Sequence, residues 1–145
     1  MDHIAIMSVK IPFLARIFSG EKTMESRWYS QKRVPWNVVA EGDWIYFKNV
    51  AQPVTLKAQV AKVQQYDLAV TKNVFDLIDL HAKAIGLRQC EVGGFVDKVK
   101  SKRYAIFMHL HKITAIVPLK IGKKGFGSMA AWITVPNIHE LIVPD

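Results

Sequence analysis

The sequence predicts an α+β domain: a small, mostly antiparallel β-barrel or curled sheet with flanking helices. Three observations carry this expectation. Short stretches in which apolar and polar residues alternate outnumber helical ones. One long stretch, 68–87, repeats its apolar residues at helical spacing. The longest alternating stretch, 54–66, slips phase at Val63, the mark of a bulge that bends a strand and lets a sheet curl. At 145 residues the chain is long enough to bury one core without a disulfide or metal staple. Residues 1–145 are therefore read as a single domain.

Each element has its own signal. Residues 3–10 place Ile4 and Ile6 on one face of a short strand. Pro12 suits the first turn of a helix, where its missing N–H is not needed; Phe13, Leu14 and Ile17 give that helix an apolar side, and Gly20 suits its left-handed end. From Thr23 to Tyr29 the period changes to two, so Glu25, Arg27 and Tyr29 share one face and Met24, Ser26 and Trp28 the other. Residues 30–40 form a basic loop stiffened by Pro35. Glu41-Gly42-Asp43 is a turn, followed by the aromatic strand 44–47, a turn at 49–53 and the long strand 54–66. In the helix at 68–87, Val70, Val74, Leu77, Ile78, His81 and Ile85 form the buried stripe and Gly86 the stop. Residues 89–95, with Gly93-Gly94, read as irregular. A strand at 104–113 follows, with Ala105, Phe107, His109 and His111 facing one way. A second strand, 116–121, is interrupted by Pro118. The loop 122–128 (GKKGFGS) then leads into apolar residues 129–135 and a tail.

Half the residues are hydrophobic and 22% are charged, a globular composition rather than a disordered one. The 20 Lys and Arg against 12 Asp and Glu leave a net charge of +8, which favours an anionic partner, nucleic acid first. The one cysteine, Cys90, excludes an internal disulfide and a thiolate zinc site, and reads as a small buried residue. The first residues carry an acid and a lysine where a secretory leader would be apolar. No run reaches the length of a membrane span. The expectations are a cytoplasmic location, no membrane association, no cofactor and no metal.

The stretch Ser19–Trp36 combines fixed charge with large rings and is the candidate site. Lys22 and Arg27 near the Glu25 carboxylate can hold a phosphate or polarise a carbonyl; the alternative is a structural ion-pair cluster. Tyr29 and Trp36, beside Lys32 and Arg33, suit stacked unpaired bases and their phosphates, whereas Trp44 and Tyr46 read as core and Trp28 fits either role. The loop at 122–128 offers Lys123, Lys124 and Ser128 to an anion but lacks the spacing of a nucleoside-triphosphate loop. His109 and His111 share a face without a third ligand nearby and read as structural. Asp76 and Asp79 read as a solvated helix face. The run Lys98, Lys100, Lys102 and Arg103 reads either as a phosphate-tracking stripe or as a solvated edge.

The segment GEKTMESR at 20–27 resembles the GxKTxExR-like signature of the ASCH domain, in the PUA-like superfamily. The similarity continues through the proline-aromatic opening IPFLARIFSG, the Gly42-Asp43 strand EGDWIYF and the strand ending near QQYD. It covers roughly the whole chain, with the specificity concentrated in the signature and Gly42-Asp43. The resemblance implies a PUA-like β-barrel with a cleft in which Lys22 and its neighbours meet RNA or a nucleotide. Some members of the family are ribonucleases, and a compact branch hydrolyses the amide of acetylated cytidine with a threonine three residues after the motif lysine. Here that position is Glu25, which argues against the amidohydrolase activity. The expected function is RNA or nucleotide binding through Lys22, Arg27, Tyr29, Lys32, Arg33, Trp36, Lys123, Lys124 and Ser128. One alternative is a ribonuclease or modified-nucleoside hydrolase using Lys22 and Glu25; another is a reader of a modified base without chemistry.

Overall fold

The structure is a computed structural model that describes residues 1–70, 73–123, 125–127 and 130–144. Strand β1 (Asp2–Met7) leads to helix α1 (Phe13–Ser19), and strands β2 (Met24–Tyr29), β3 (Trp44–Asn49) and β4 (Val54–Asp67) follow. Helices α2 (Val74–Ile85) and α3 (Gln89–Val99) precede β5 (Tyr104–Leu119), β6 (Trp132–Val135) and a short 3-10 turn at Ile138–Leu141. The strands form one six-stranded sheet in the order β2-β5-β4-β3-β1-β6. Pairing is antiparallel except between β1 and β3. The sheet does not close: β2 and β6 are its two edges, so the barrel is an open half-barrel. The curl expected near Val63 is present as shifts in the β4–β5 register, one of them between Val60 and Lys62.

Two main cores lie on opposite sides of β2. Ala5, Ile45, Phe47, Leu56 and Met108 fill the inside of the half-barrel, with Ile17 of α1 against them. Met24 and Trp28 join Phe107 and the inward faces of α2 and α3 in the second. The alternation read from 23–29 therefore sorts its residues correctly: Met24 and Trp28 go to the helices, and Tyr29 packs against the barrel side. Helix α1 ends at Gly20 in the left-handed region, and α2 at Gly86 in the same way.

Several expectations give way. The helix read from 68 to 87 begins only at Val74, where Asn73 accepts from the Phe75 N–H at 2.8 Å, and Val70 lies exposed outside it. Residues 89–99 are helix rather than irregular. Each glycine costs about 1 kcal/mol in a helix. The start is fixed all the same, because the Arg88 N–H donates to Glu91 Oε1 at 2.8 Å, and Val96 and Val99 are buried. Cys90, in the first turn of α3, is exposed. The strands read at 104–113 and 116–121 are one strand, since Pro118 falls where β5 needs no backbone donor to a further strand and stays exposed. Trp44 and Tyr46 are half-buried; Ile45 and Phe47 face the half-barrel core, one residue out of phase, while Tyr46 packs against a third cluster of Ile4, Ile6, Ile133 and Val135. His111 is exposed, and His109 bonds to Gln64 Oε1 at 2.7 Å. No described helix is long and apolar enough to cross a membrane.

One ion pair fastens the helices to each other. Arg16 of α1 donates to both carboxylate oxygens of Glu91 at 2.6 and 2.9 Å and to the Gly86 carbonyl at 2.8 Å. The Arg16 hydrogen bonds, helped by the Arg88 N–H, hold the Glu91 carboxyl down at about 2. A carboxyl with a depressed folded pKa stabilises fully above its ordinary value near 4.5, and that stabilisation fades as the pH falls toward about 2. Glu91→Ala is expected to cost about 1–3 kcal/mol at neutral pH. Thermal melts across a pH series should show the wild type losing this advantage between pH 4.5 and 2. An equal gap between the two proteins at both ends of that range would contradict the assignment.

Candidate nucleic-acid interface

Lys22 sits between the end of α1 and the start of β2. Its N–H donates to the Arg16 carbonyl at 2.9 Å, and the next N–H, of Thr23, donates to Ala84 O of α2 at 2.9 Å. These bonds turn the side chain inward, and the residue is fully buried. The ammonium donates to Met24 O at 2.7 Å and Ile85 O at 2.8 Å, lies 3.2 Å from Glu25 Oε1, and stands 4.6 Å from the centre of the Phe13 ring. An ammonium has three hydrogens, and each has an acceptor here. Gly86 is glycine for this reason: at φ +88° an added Cβ would come within 2.6 Å of Lys22 Cβ.

Glu25 continues the chain. Oε1 takes Lys22 and the Ser26 N–H at 3.0 Å, and Oε2 takes Arg27 Nη2 at 3.2 Å. Burial alone pushes this carboxyl up, but Lys22, Arg27 and the Ser26 N–H outweigh it and hold it below its ordinary value. Arg27 then crosses to the opposite side of the half-barrel. Its guanidinium reaches Ile6 O and Met7 Sδ of β1 at 3.4 Å each and Ala131 O beside β6 at 3.3 Å, and it lies over the Trp132 ring. Since β2 and β6 share no backbone ladder, Arg27 bridges the gap between the sheet edges. The three charged residues of the resemblance are thus brought together, with Lys22 and Glu25 inside the protein and Arg27 at a partly open end.

Below the bridge lies a second buried polar network that the sequence reading missed. His3 is fully buried; Nε2 bonds to Asp43 Oδ2 at 2.8 Å and Nδ1 to Thr134 Oγ1 at 2.9 Å, and Trp132 Nε1 donates to Nδ1 at 3.3 Å. Burial lowers the His3 pKa against the pull of Asp43. The Gly42-Asp43 pair of the sequence resemblance therefore serves the joint of β1, β3 and β6. Its only sequence signal was Asp43 itself, after a turn glycine.

Tyr29, at the far end of β2, is half-buried with Arg33 over its ring at 5.3 Å. Burial raises its phenol pKa, against Arg27 and Arg33. Tyr29, Lys32 and Arg33 line a shallow groove of about 510 Å³ together with Lys102, from the basic run before β5. Among the described residues, Lys32, Arg33 and Lys102 form no ion pair, unlike Arg16, Lys22, Arg27 and Arg103. Trp36 is not the exposed ring the sequence suggested. It is half-buried, edge-on to Tyr104 at 5.0 Å, with Lys32 near both rings. Its loop is pinned to β4 by paired bonds between Asn37 and Gln65, each 2.7 Å. Lys123 lies apart from the groove, beside Lys48, whose pKa is lowered by burial first and by the Lys123 charge second. Lys124 and Ser128 fall outside the described residues.

No protein-family model and no curated protein matches the sequence. The solved structures are more informative. The crystal structure of ASCH from Zymomonas mobilis superposes with a TM-score of 0.67 at 18% identity, over 92% of this chain and 87% of that one. The chain has the ASCH fold. A tyrosine-to-phenylalanine variant of the same Zymomonas mobilis protein gives 0.69 at 17% identity, over 96% and 93%. A serine-to-alanine variant gives 0.67 at 17%, over 96% and 91%. Within this ASCH fold Lys22 and Glu25 lie inside, and Arg27, two residues before Tyr29 and interacting with it, stands next to the basic groove.

Removing Lys22 strands Glu25 beside one cation in a closed interior. Lys22→Met is expected to cost about 3–5 kcal/mol, the usual penalty for breaking a buried pair from one side. Arg27→Met, at the partly open end, should cost less, about 1.5–3 kcal/mol for the charged hydrogen bonds lost. Denaturant unfolding of both variants measures this. A Lys22→Met loss below 1 kcal/mol would show that the ammonium is not the anchor described.

Proposed function

We propose that this protein binds single-stranded nucleic acid, RNA in the first instance, through the groove lined by Tyr29, Lys32, Arg33 and Lys102. The observation that carries the reading is the gathering of Lys32, Arg33 and Lys102 around a half-buried tyrosine ring; none of them is in an ion pair among the described residues, although the Lys32 charge also acts on Asp67. Such cations are the ones a phosphate backbone can neutralise at a gain, because each contact releases condensed counterions. Cations already paired with carboxylates gain less, since the ligand must displace the partner. The rings beside Lys32 and Arg33 limit where those long side chains go. That lowers the entropy lost when a phosphate is gripped. The similarity of fold to the ASCH structures is in keeping with this reading.

Binding favours the geometry over hydrolysis at the signature. Lys22 has no hydrogen left to give, and Glu25 is held between two cations and below the surface. A base of lowered pKa, shielded from solvent, is poorly placed to take a proton from a ribose hydroxyl.

Fluorescence anisotropy with a labelled single-stranded RNA, over a series of salt concentrations, tests the proposal. Three phosphate contacts predict a log–log salt slope of about −2. Arg33→Ala and Lys32→Ala should each reduce that slope by about 0.7. An absence of binding at low salt, or an affinity that does not change with salt, rejects the proposal.

A further inference from the structure

We infer that the single strand continues from this groove across Lys102 into a second basin, where the ring of Phe75 stacks an unpaired base. The inference rests on the nucleic-acid reading and specifies the ligand: a run of at least two nucleotides, with one base splayed out of any duplex. The second basin has a volume of about 410 Å³ and is walled by Leu68, Val74 and Phe75 on one side and Lys100, Lys102 and Arg103 on the other. Lys102 lines both basins. The junction between them is therefore a cation that either basin can use.

The two basins differ in kind. In the first, Lys32, Arg33 and Lys102 make no ion pair among the described residues. In the second, Arg103 is held by both oxygens of Asp67 at 3.1 Å each, and Lys100 lies 3.3 Å from Asp97. The first basin is thus the more positive and suits phosphates; among the described residues the second has Arg103 and Lys100 paired with carboxylates and an apolar wall of Leu68, Val74 and Phe75, and suits a base. Alternation of this kind follows the repeat of a nucleic-acid strand, with the shared Lys102 on the phosphate between two nucleotides.

Phe75 is the residue that sets the second basin apart. The buried face of α2 is made by Val74, Leu77, Ile78 and Ile85, whereas Phe75 is 53% exposed. An exposed ring next to a cationic rim does nothing for the core, and every base offers a π-face to it. The helix start is not an anion site in its own right, since Asn73 already accepts from the Phe75 N–H. The backbone of the opposite wall is fixed as well: Leu68 N–H donates to Arg103 O at 2.7 Å.

The test uses the whole chain and single-stranded oligouridylates of one to six nucleotides, with 2-aminopurine placed at successive positions to report stacking. Affinity should rise steeply from the mononucleotide to the dinucleotide or trinucleotide, and one position should show quenched fluorescence. Phe75→Ala should weaken binding roughly 5- to 100-fold, abolish the quenching and leave the salt slope unchanged. Lys102→Ala should lower the slope by about 0.7 and keep the quenching. Phe75→Trp should bind as well as the wild type or better, which rules out a general surface effect. If Phe75→Ala binds and quenches like the wild type while Arg33→Ala loses affinity, the second basin is refuted and the first stands. If the wild type binds no oligonucleotide, both readings fall.

Discussion

An open sheet with two edges depends on something other than backbone pairing to hold those edges in place. Here a chain of buried charges does it. Lys22 fastens the start of β2 to the end of α2, Glu25 takes up one side of that ammonium, and Arg27 carries the connection across to β1 and the segment before β6. Desolvating these groups singly would cost several kcal/mol each. Together they satisfy one another, and they reach carbonyls of three separate elements: Ile85 O of α2, Ile6 O of β1 and Ala131 O beside β6. Their value is therefore positional: an apolar substitute could fill the volume but could not tell Ile85 O from any other neighbour.

The bridge has a consequence for the surface. Because β2 is anchored at its first residues by Lys22 and in its middle by Arg27, its last residue, Tyr29, leaves the sheet in a fixed direction. The loop that follows is tied down by Asn37 and Gln65 and rests on Tyr104 through Trp36. From the other side, β5 pairs with β2 up to Tyr104, which brings the basic run that precedes it against the same loop. Cations from two distant stretches of sequence thus meet at one groove. In the proposed reading, the buried Lys22–Glu25 pair places the binding surface rather than lining it.

Much of the fold was legible in sequence because period-two alternation and glycine stops are local signals. Strand β2, its two faces, the left-handed ends at Gly20 and Gly86 and the bulge in β4 were all visible in that way. The failures are equally physical. Helix α3 hid behind Gly93-Gly94 because its stability comes from Glu91, shared between Arg88 and Arg16, and no local window contains Arg16. Trp44 and Tyr46 looked like core because aromatics usually are, yet the phase of a strand is set by its partners, and β1 and β4 put Ile45 and Phe47 inside. At the site, the residue types were legible and their depth was not. Lys22 reads as a surface charge until the Ala84 and Ile85 carbonyls, more than sixty residues on, are folded over it.

The same distinction between depth and type decides what the net charge means. A protein with a charge of +8 invites the idea that any lysine or arginine will serve as a phosphate contact. Most of the arginines here are already committed: Arg16 to Glu91, Arg27 to Glu25, Arg88 to Glu21 and Arg103 to Asp67. Three of those pairs tie one element to another and the fourth, Arg27 with Glu25, lies within β2, so the charge is spent on structure and contributes little field outside. Lys32, Arg33 and Lys102 form no ion pair among the described residues, although Lys32 also acts on Asp67, and the fold sets them around Tyr29. Field strength at a surface depends on which cations lack a counter-charge and how closely they stand. That criterion supports placing the proposed nucleic-acid contact at the end of β2.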